Sequence, residues 1–305
     1  MELKLWLLVI KKIYIIHIFN PACRGFFMRN VFRYIQYLSL DVVLGAILSS
    51  LFIAQLIGVT LSNPMLVGLG IAIWLIYTTD HLIDAKSIEG EAINPRHAFH
   101  QQYFTIIVAF GLLAFIIGLW NITFLPMETI KFGGILIFSV AVYFVTIRLA
   151  DRKSLWHKEM SAAMIYSFGI FAGPLSLSVD ISYSTIFLFV QFSIIVILNL
   201  LIFPIYEVDS DIKDDMKSLA ITVGVGRLKG MINFLFVVVF MLTGIGMLEL
   251  QMFSSGSNWF LGQFIFLLMM GVLLSLMVWP NFFRKYNSYR LLGDGVFYLP
   301  LIMLL

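Results

Sequence analysis

Residues 183–224 read YSTIFLFVQFSIIVILNLLIFPIYEVDSDIKDDMKSLAITVG. The stretch 183–204 carries no charged side chain, and a helix needs only about 20 apolar residues to cross the hydrocarbon core of a bilayer. Directly after it come Glu207, Asp209, Asp211, Asp214 and Asp215, five carboxylates within nine positions. A long apolar run that ends in acids predicts a membrane-spanning helix with its polar end at one bilayer edge. Eight further apolar runs flank this one, near 37–60, 65–79, 102–120, 130–147, 160–178, 231–250, 259–280 and 293–305. None alternates like a strand, and helices are the open-chain way to satisfy backbone polar groups in lipid. The expected fold class is therefore all-α: a polytopic membrane bundle of about nine transmembrane helices.

Composition agrees. Of 305 residues, 61% are hydrophobic and 12% charged, against roughly 45–50% and 25% in soluble domains. That excludes an ordinary soluble domain and a disordered chain. The single cysteine, Cys23, excludes an intrachain disulfide framework and a CxxC metal site. Basic clusters interleaved with stacking aromatics are missing, so nucleic acid is not an expected partner.

Basic residues fix the expected orientation. Lys4, Lys11, Lys12, Arg24, Arg29 and Arg33 precede the first span, and Lys86 and Arg96 follow the second. Arg148, Arg152, Lys153 and Lys158 follow the fourth. Lys213, Lys217, Arg227 and Lys229 follow the sixth, and Arg284, Lys285 and Arg290 the eighth. Only Lys131 falls in an opposite loop. By the positive-inside rule the N-terminus is expected in the cytoplasm and the C-terminus outside, in the cytoplasmic membrane. Residues 1–27 lack a small-residue cleavage site and read as a dispensable or interfacial extension ahead of Met28, leaving 28–305 as the transmembrane domain.

Carboxylates crowded at one edge repel each other unless a cation sits among them. Mg²⁺ suits them, because hard ions prefer carboxylate oxygens and are often shared with phosphates. A smaller acidic group follows the second span, in YTTDHLIDAKSIEGEAINPRHAFHQQ at 77–102. There Asp80 and Asp84 stand four apart and share a helix face if the span continues through them. Both acidic groups fall on the same expected side, so they are expected to meet at one cavity mouth.

Both segments resemble motifs of the UbiA-type intramembrane prenyltransferases. Their second aspartate-rich motif, roughly DxEGDxxxGxxTLPVxxG, is similar to Glu207-x-Asp209-Ser210-Asp211 followed by Ser218-Leu219-Ala220-Ile221 and Gly224. Ser210 replaces one glycine, and Asp215 takes the position of another. Asp80 and Asp84 match the last two acids of the family's NDxxDxxxD motif, whose leading Asn-Asp falls on Ile76 and Tyr77. Tyr143-x-x-x-Ile147-Arg148 is similar to the family's YxxxLK stretch. The resemblance spans about 28–305.

That resemblance implies a UbiA-like fold and Mg²⁺-dependent transfer of a prenyl group from a prenyl diphosphate to an aromatic or lipid acceptor. Asp80, Asp84, Glu207 and Asp211 are the implied catalytic acids. The implied metal ligands are Asp80, Asp84, Glu207, Asp209, Asp211 and Asp215. Arg96, Arg148, Lys153 and Lys213 are best placed by loop position to meet the diphosphate. A non-catalytic lipid-binding relative and a terpene cyclase stay open as alternatives; a transporter is disfavoured because the acids sit at one edge rather than at the midplane.

Smaller marks remain. His97 and His100, at i and i+3, form either a metal pair or a phosphate contact. Asp41 orients Arg33 or an acceptor hydroxyl, or marks a shifted span boundary. Asn199 is read as an interhelical hydrogen-bonding group, Glu159 as a local ion pair with Lys158, and Gly224-x-Gly226 as a helix break.

Overall fold

The computed structural model describes residues 33–149, 155–178, 180–214, 218–248, 257–285 and 288–305. These form α1 (Leu40–Ile57), α2 (Asn63–Ser87), α3 (Pro95–Gln102), α4 (Phe104–Ile122), α5 (Met127–Leu149), α6 (Leu155–Leu177) and α7 (Tyr183–Lys213). Then follow α8 (Leu219–Val223), α9 (Val225–Leu248), α10 (Ser257–Val278), α11 (Pro280–Lys285), α12 (Tyr289–Gly295), a 3-10 turn (Val296–Tyr298) and α13 (Leu301–Leu304). No strand occurs among the described residues. The helices α1, α2, α4, α5, α6, α7, α9 and α10 are long and apolar enough to cross a membrane, so the protein is a membrane-embedded helical bundle. Residues 1–27 lie outside the described residues.

The expected ninth span, 293–305, is a chain of short helices instead. Pro300 stands between the 3-10 turn and α13, and proline denies a continuing helix its N–H donor. The clustered acids follow the apolar run on the same helix: α7 continues through Pro204 to Lys213, so Glu207, Asp209 and Asp211 stand on its last turns. Pro204 removes the hydrogen bond to the Leu200 carbonyl and crowds that carbonyl, yet the helix continues through it. α2 likewise runs past the apolar run ending at 79 and carries Asp80 and Asp84 on helix.

α7 is the centre of the bundle. Over its most apolar window it is 61% buried, whereas α4 and α5 are 6% buried and present their apolar faces outward. α7 packs against α6, α9, α10 and α12. The core around it holds Phe52, Phe171, Phe192 and Phe266. Some polar side chains in this core pair with each other: Gln191 donates to Thr243 (3.2 Å) and Gln263 (2.9 Å). The sharp turn between α8 and α9 is made by Gly224, whose φ of 90° favours glycine, as the glycine pair suggested.

A few polar contacts hold the segment between α2 and α4 over the end of α7. The Asn94 side chain caps α3, accepting from the Arg96 amide at 3.0 Å, with Pro95 in the first turn. Gln101 accepts from the Ala92 amide and donates to the carbonyls of Ala85 and Gly90. Asp214, buried at the end of α7, accepts from the Ile93 amide (2.8 Å) and the Asn94 amide (3.1 Å). That carboxylate ties the start of α3, and Arg96 with it, to the acid-bearing helix.

Candidate functional site

A cavity of about 240 Å³ lies where these elements meet. α2 contributes Tyr77, Asp80, His81 and Asp84; α3 contributes Arg96 and His97. α7 contributes Asn199, Phe203, Glu207 and Asp211, and α12 contributes Arg290 and Asp294. α6 adds Glu159 and Tyr166. Val42, Ile73, Val196 and Phe297 make much of the remaining wall apolar. Four of the expected acids, Asp80, Asp84, Glu207 and Asp211, and one expected cation, Arg96, therefore share one cavity. Asp209 and Lys213 do not line it; both are exposed. Lys153 and Asp215 lie outside the described residues, as does the side chain of Arg148 on α5.

Charge is divided within this cavity. Glu207 is bound to Arg290 by two hydrogen bonds, both 2.6 Å, and its Oε1 also accepts from the Tyr289 hydroxyl at 2.9 Å. Burial works against the Arg290 charge, but the Glu207 carboxylate overrides it and holds the guanidinium above its ordinary value. Burial first, and then repulsion from Arg290, push Arg96 down to about 10, so both guanidiniums stay charged at neutral pH. Burial, then Arg96, lower His97 to about 4, which leaves a neutral ring. The Asp294 carboxyl is held above the usual carboxylate range by burial and next by the Asp41 carboxylate. The Tyr143 hydroxyl reaches Asp80 at 3.5 Å.

Several marks in the sequence resolve differently from their first reading. Asp41 stands in the first turn of α1, so it marks a span boundary, and a carboxylate suits a helix N-terminus. His100 is tied through Nδ1 to the Arg96 carbonyl at 2.8 Å, while His97 lines the cavity. Asn199 was expected to bridge helices, yet its Oδ1 has no hydrogen-bond partner among the described residues. Glu159 lines the cavity, and the side chain of Lys158, its expected ion-pair partner, lies outside the described residues. Arg290 and Asp294 escaped notice because both lie in a segment read for its apolar content and its positive charge. Their only signal was an acid and a base inside or beside an otherwise apolar run, where an ionisable group usually faces the bundle interior.

No group of three His, Cys, Asp or Glu among the described residues is spaced to hold a metal alone. Mg²⁺ rarely needs such a cage, because it keeps several waters and takes one or two carboxylates plus phosphate oxygens. Asp80, Asp84 and Asp211 offer that donor set in one cavity. Glu207 is less suited, since its oxygens already hold Arg290. Compared with protein-family models, curated proteins and solved structures, the chain matches none.

Proposed function

We propose that this membrane-embedded protein transfers an isoprenyl group from a prenyl diphosphate to a lipophilic acceptor, as the UbiA-type enzymes it resembles do. One observation carries the reading: carboxylates from α2 and α7 share a cavity with Arg96 and Arg290, and the remaining wall is largely apolar and aromatic. Carboxylates crowded in one cavity call for a cation, and paired guanidiniums call for a polyanion. A prenyl diphosphate with Mg²⁺ answers both.

Arg96 and Arg290 bind the diphosphate oxygens and orient the lipid. Asp80, Asp84 and Asp211 would hold Mg²⁺, whose chemistry there is to neutralise the departing diphosphate. The C–O bond breaks with its electron pair leaving on the diphosphate. The resulting allylic cation faces the rings of Tyr77, Tyr166 and Phe297, whose π-faces stabilise positive charge. The acceptor's nucleophilic atom then bonds to the cation, and its proton passes to a cavity base. Asp294, with its raised proton affinity, is suited to receive it. The cavity is smaller than the roughly 300–1,000 Å³ of pockets that enclose drug-sized ligands. It therefore takes head groups, and the isoprenoid tail lies among the helices or in the bilayer. By the distribution of basic residues, its mouth faces the cytoplasm.

The test uses purified full-length protein in nanodiscs with labelled farnesyl or geranylgeranyl diphosphate and Mg²⁺. Pyrophosphate release that disappears in Asp211→Asn is the expected result; no release at any chain length from folded protein overturns the proposal. A non-catalytic isoprenoid-binding role is the second reading. It is favoured by Ile76 and Tyr77, which line the cavity where the family motif has Asn-Asp. Isoprenoid binding indifferent to Mg²⁺ would select it.

A further inference from the structure

Of the six cavity-lining residues with a buried polar atom that finds no hydrogen-bond partner among the described residues, Tyr166 and Asn199 are the most deeply buried. Tyr166 is 3% exposed and Asn199 is 4% exposed. Neither Tyr166 Oη nor Asn199 Oδ1 has a hydrogen-bond partner among the described residues. An unsatisfied buried polar group costs about 1–3 kcal/mol. Two such groups on neighbouring helices, both lining one cavity, point to an occupant that satisfies them.

Packing, rather than hydrogen bonding, holds both side chains. The Tyr166 ring meets Phe297 edge-on at 5.7 Å and Tyr77 at 6.2 Å. Asn199 lies against Gly293; a Cβ there would stand 2.9 Å from Asn199 Oδ1 and 2.6 Å from the Phe203 ring. Glycine is what lets α12 approach α7 so closely. The same approach sets Asp294, the next residue, in the cavity wall. Asn199 is eight residues before Glu207 on α7, about 12 Å along a helix axis, so this polar set lies away from the acidic edge.

The chemistry of the set selects its ligand. Asn199 Oδ1 accepts, Tyr166 Oη donates or accepts, and the Asp294 carboxyl accepts when ionised. A phosphate or carboxylate would face the like charge of the ionised Asp294 carboxylate, and a hydrocarbon would leave the set unsatisfied. A hydroxyl donates and accepts, and the neighbouring rings suit an apolar body behind it. We propose that Tyr166, Asn199 and Asp294 form a hydroxyl-recognising subsite, distinct from the carboxylates Asp80, Asp84 and Asp211. Naming its ligand as the acceptor rests on the transfer reading; the binding itself does not.

The experiment follows ¹⁹F NMR of 4-fluorophenol and of fluorobenzene with the full chain in nanodiscs, empty nanodiscs giving the lipid background. Saturable binding of 4-fluorophenol is expected, with fluorobenzene about tenfold weaker or worse, the scale of one satisfied hydrogen bond. Tyr166→Phe and Asn199→Leu should each erase most of that discrimination while leaving fluorobenzene unchanged. Tyr166→Phe removes a single atom, and size-exclusion elution reports whether each variant folds. Equal binding of the two probes, or unchanged discrimination in both folded variants, overturns the subsite. Discrimination without any pyrophosphate release would instead sink the transfer reading and leave the subsite standing.

Discussion

Both carboxylate oxygens of Glu207 accept hydrogen bonds from Arg290, 83 positions later in the chain: Nε to Oε1 and Nη2 to Oε2, each at 2.6 Å. Tyr289, which donates to the same carboxylate, stacks on Tyr206 with ring centroids 4.5 Å apart and planes 6° from parallel. Glu207 thereby fixes α12 against α7 and aims a guanidinium at the cavity. Removing one partner leaves the other charge uncompensated. Glu207→Gln should destabilise the protein by about 3 kcal/mol, the lower end for a broken buried pair because both side chains keep some exposure. A double-mutant cycle with Arg290→Met, read by denaturant unfolding in micelles, should show a loss smaller than the sum of the single losses. Additive losses would mean that the pair does not couple.

The cavity carboxylates Asp80 and Asp211 and the exposed Asp209 differ in placement, and their substitutions should differ accordingly. Asp80→Asn and Asp211→Asn each remove a cavity charge and should slow Mg²⁺-dependent pyrophosphate release roughly 100-fold, the scale of losing one preorganised electrostatic contact. Asp209→Asn changes an exposed side chain off the cavity and should leave the rate within about twofold, as surface substitutions usually do. Single-turnover rates compare the three variants. If Asp209→Asn were as slow as Asp211→Asn, the cavity would not be where the chemistry happens.

Asp214, one of the five acids clustered after the sixth apolar run, does structural work. It holds the Ile93 and Asn94 amides, and hydrogen bonds to a charged acceptor contribute about 1.5–3 kcal/mol. Asp214→Ala should free residues 88–94, seen as faster amide hydrogen exchange at 93 and 94, and weaken pyrophosphate binding through Arg96. Asp214→Asn, which keeps one acceptor oxygen, should lie between. Unchanged exchange in Asp214→Ala would show that the tie does not position α3.

Much of this fold was legible because lipid imposes one rule on every span. The apolar runs located eight long helices, and the spacing of Asp80 and Asp84 placed both on one face of α2. What stayed hidden depended on pairing at long range. Nothing local in GDGVFYLPLIML says that Asp294 enters a cavity, and Arg290 looked like one more loop cation. Glu207 looked like a metal ligand because its neighbours are acids; its true partner is 83 residues away. Asn199 looked like an interhelical bridge, since polar groups in apolar spans usually find one, and only the assembled cavity shows its oxygen without a partner among the described residues.

The buried histidines set the response to acid. His97 is lowered to about 4 by burial and by the neighbouring Arg96, and His100 is lowered by burial against its bond to the Arg96 carbonyl. An unfolded chain protonates its histidines near 6.5, so below that value the unfolded state binds more protons than the folded one. Stability then rises with pH across this window. It is intact above about 6.5 and is lost as pH falls toward about 4. Between pH 7 and pH 4.5 the wild-type denaturant midpoint in micelles should lose ground relative to His97→Gln, since the raised Asp294 carboxyl acts in the opposite direction in both proteins. A pH dependence unaltered in His97→Gln would mean that His97 is not held neutral against Arg96. At neutral pH the uncharged ring leaves Arg96 and Arg290 as the cations facing the cavity. Anion binding should accordingly persist from pH 7 to pH 9 and fade only as pH approaches the value of about 10 held by Arg96.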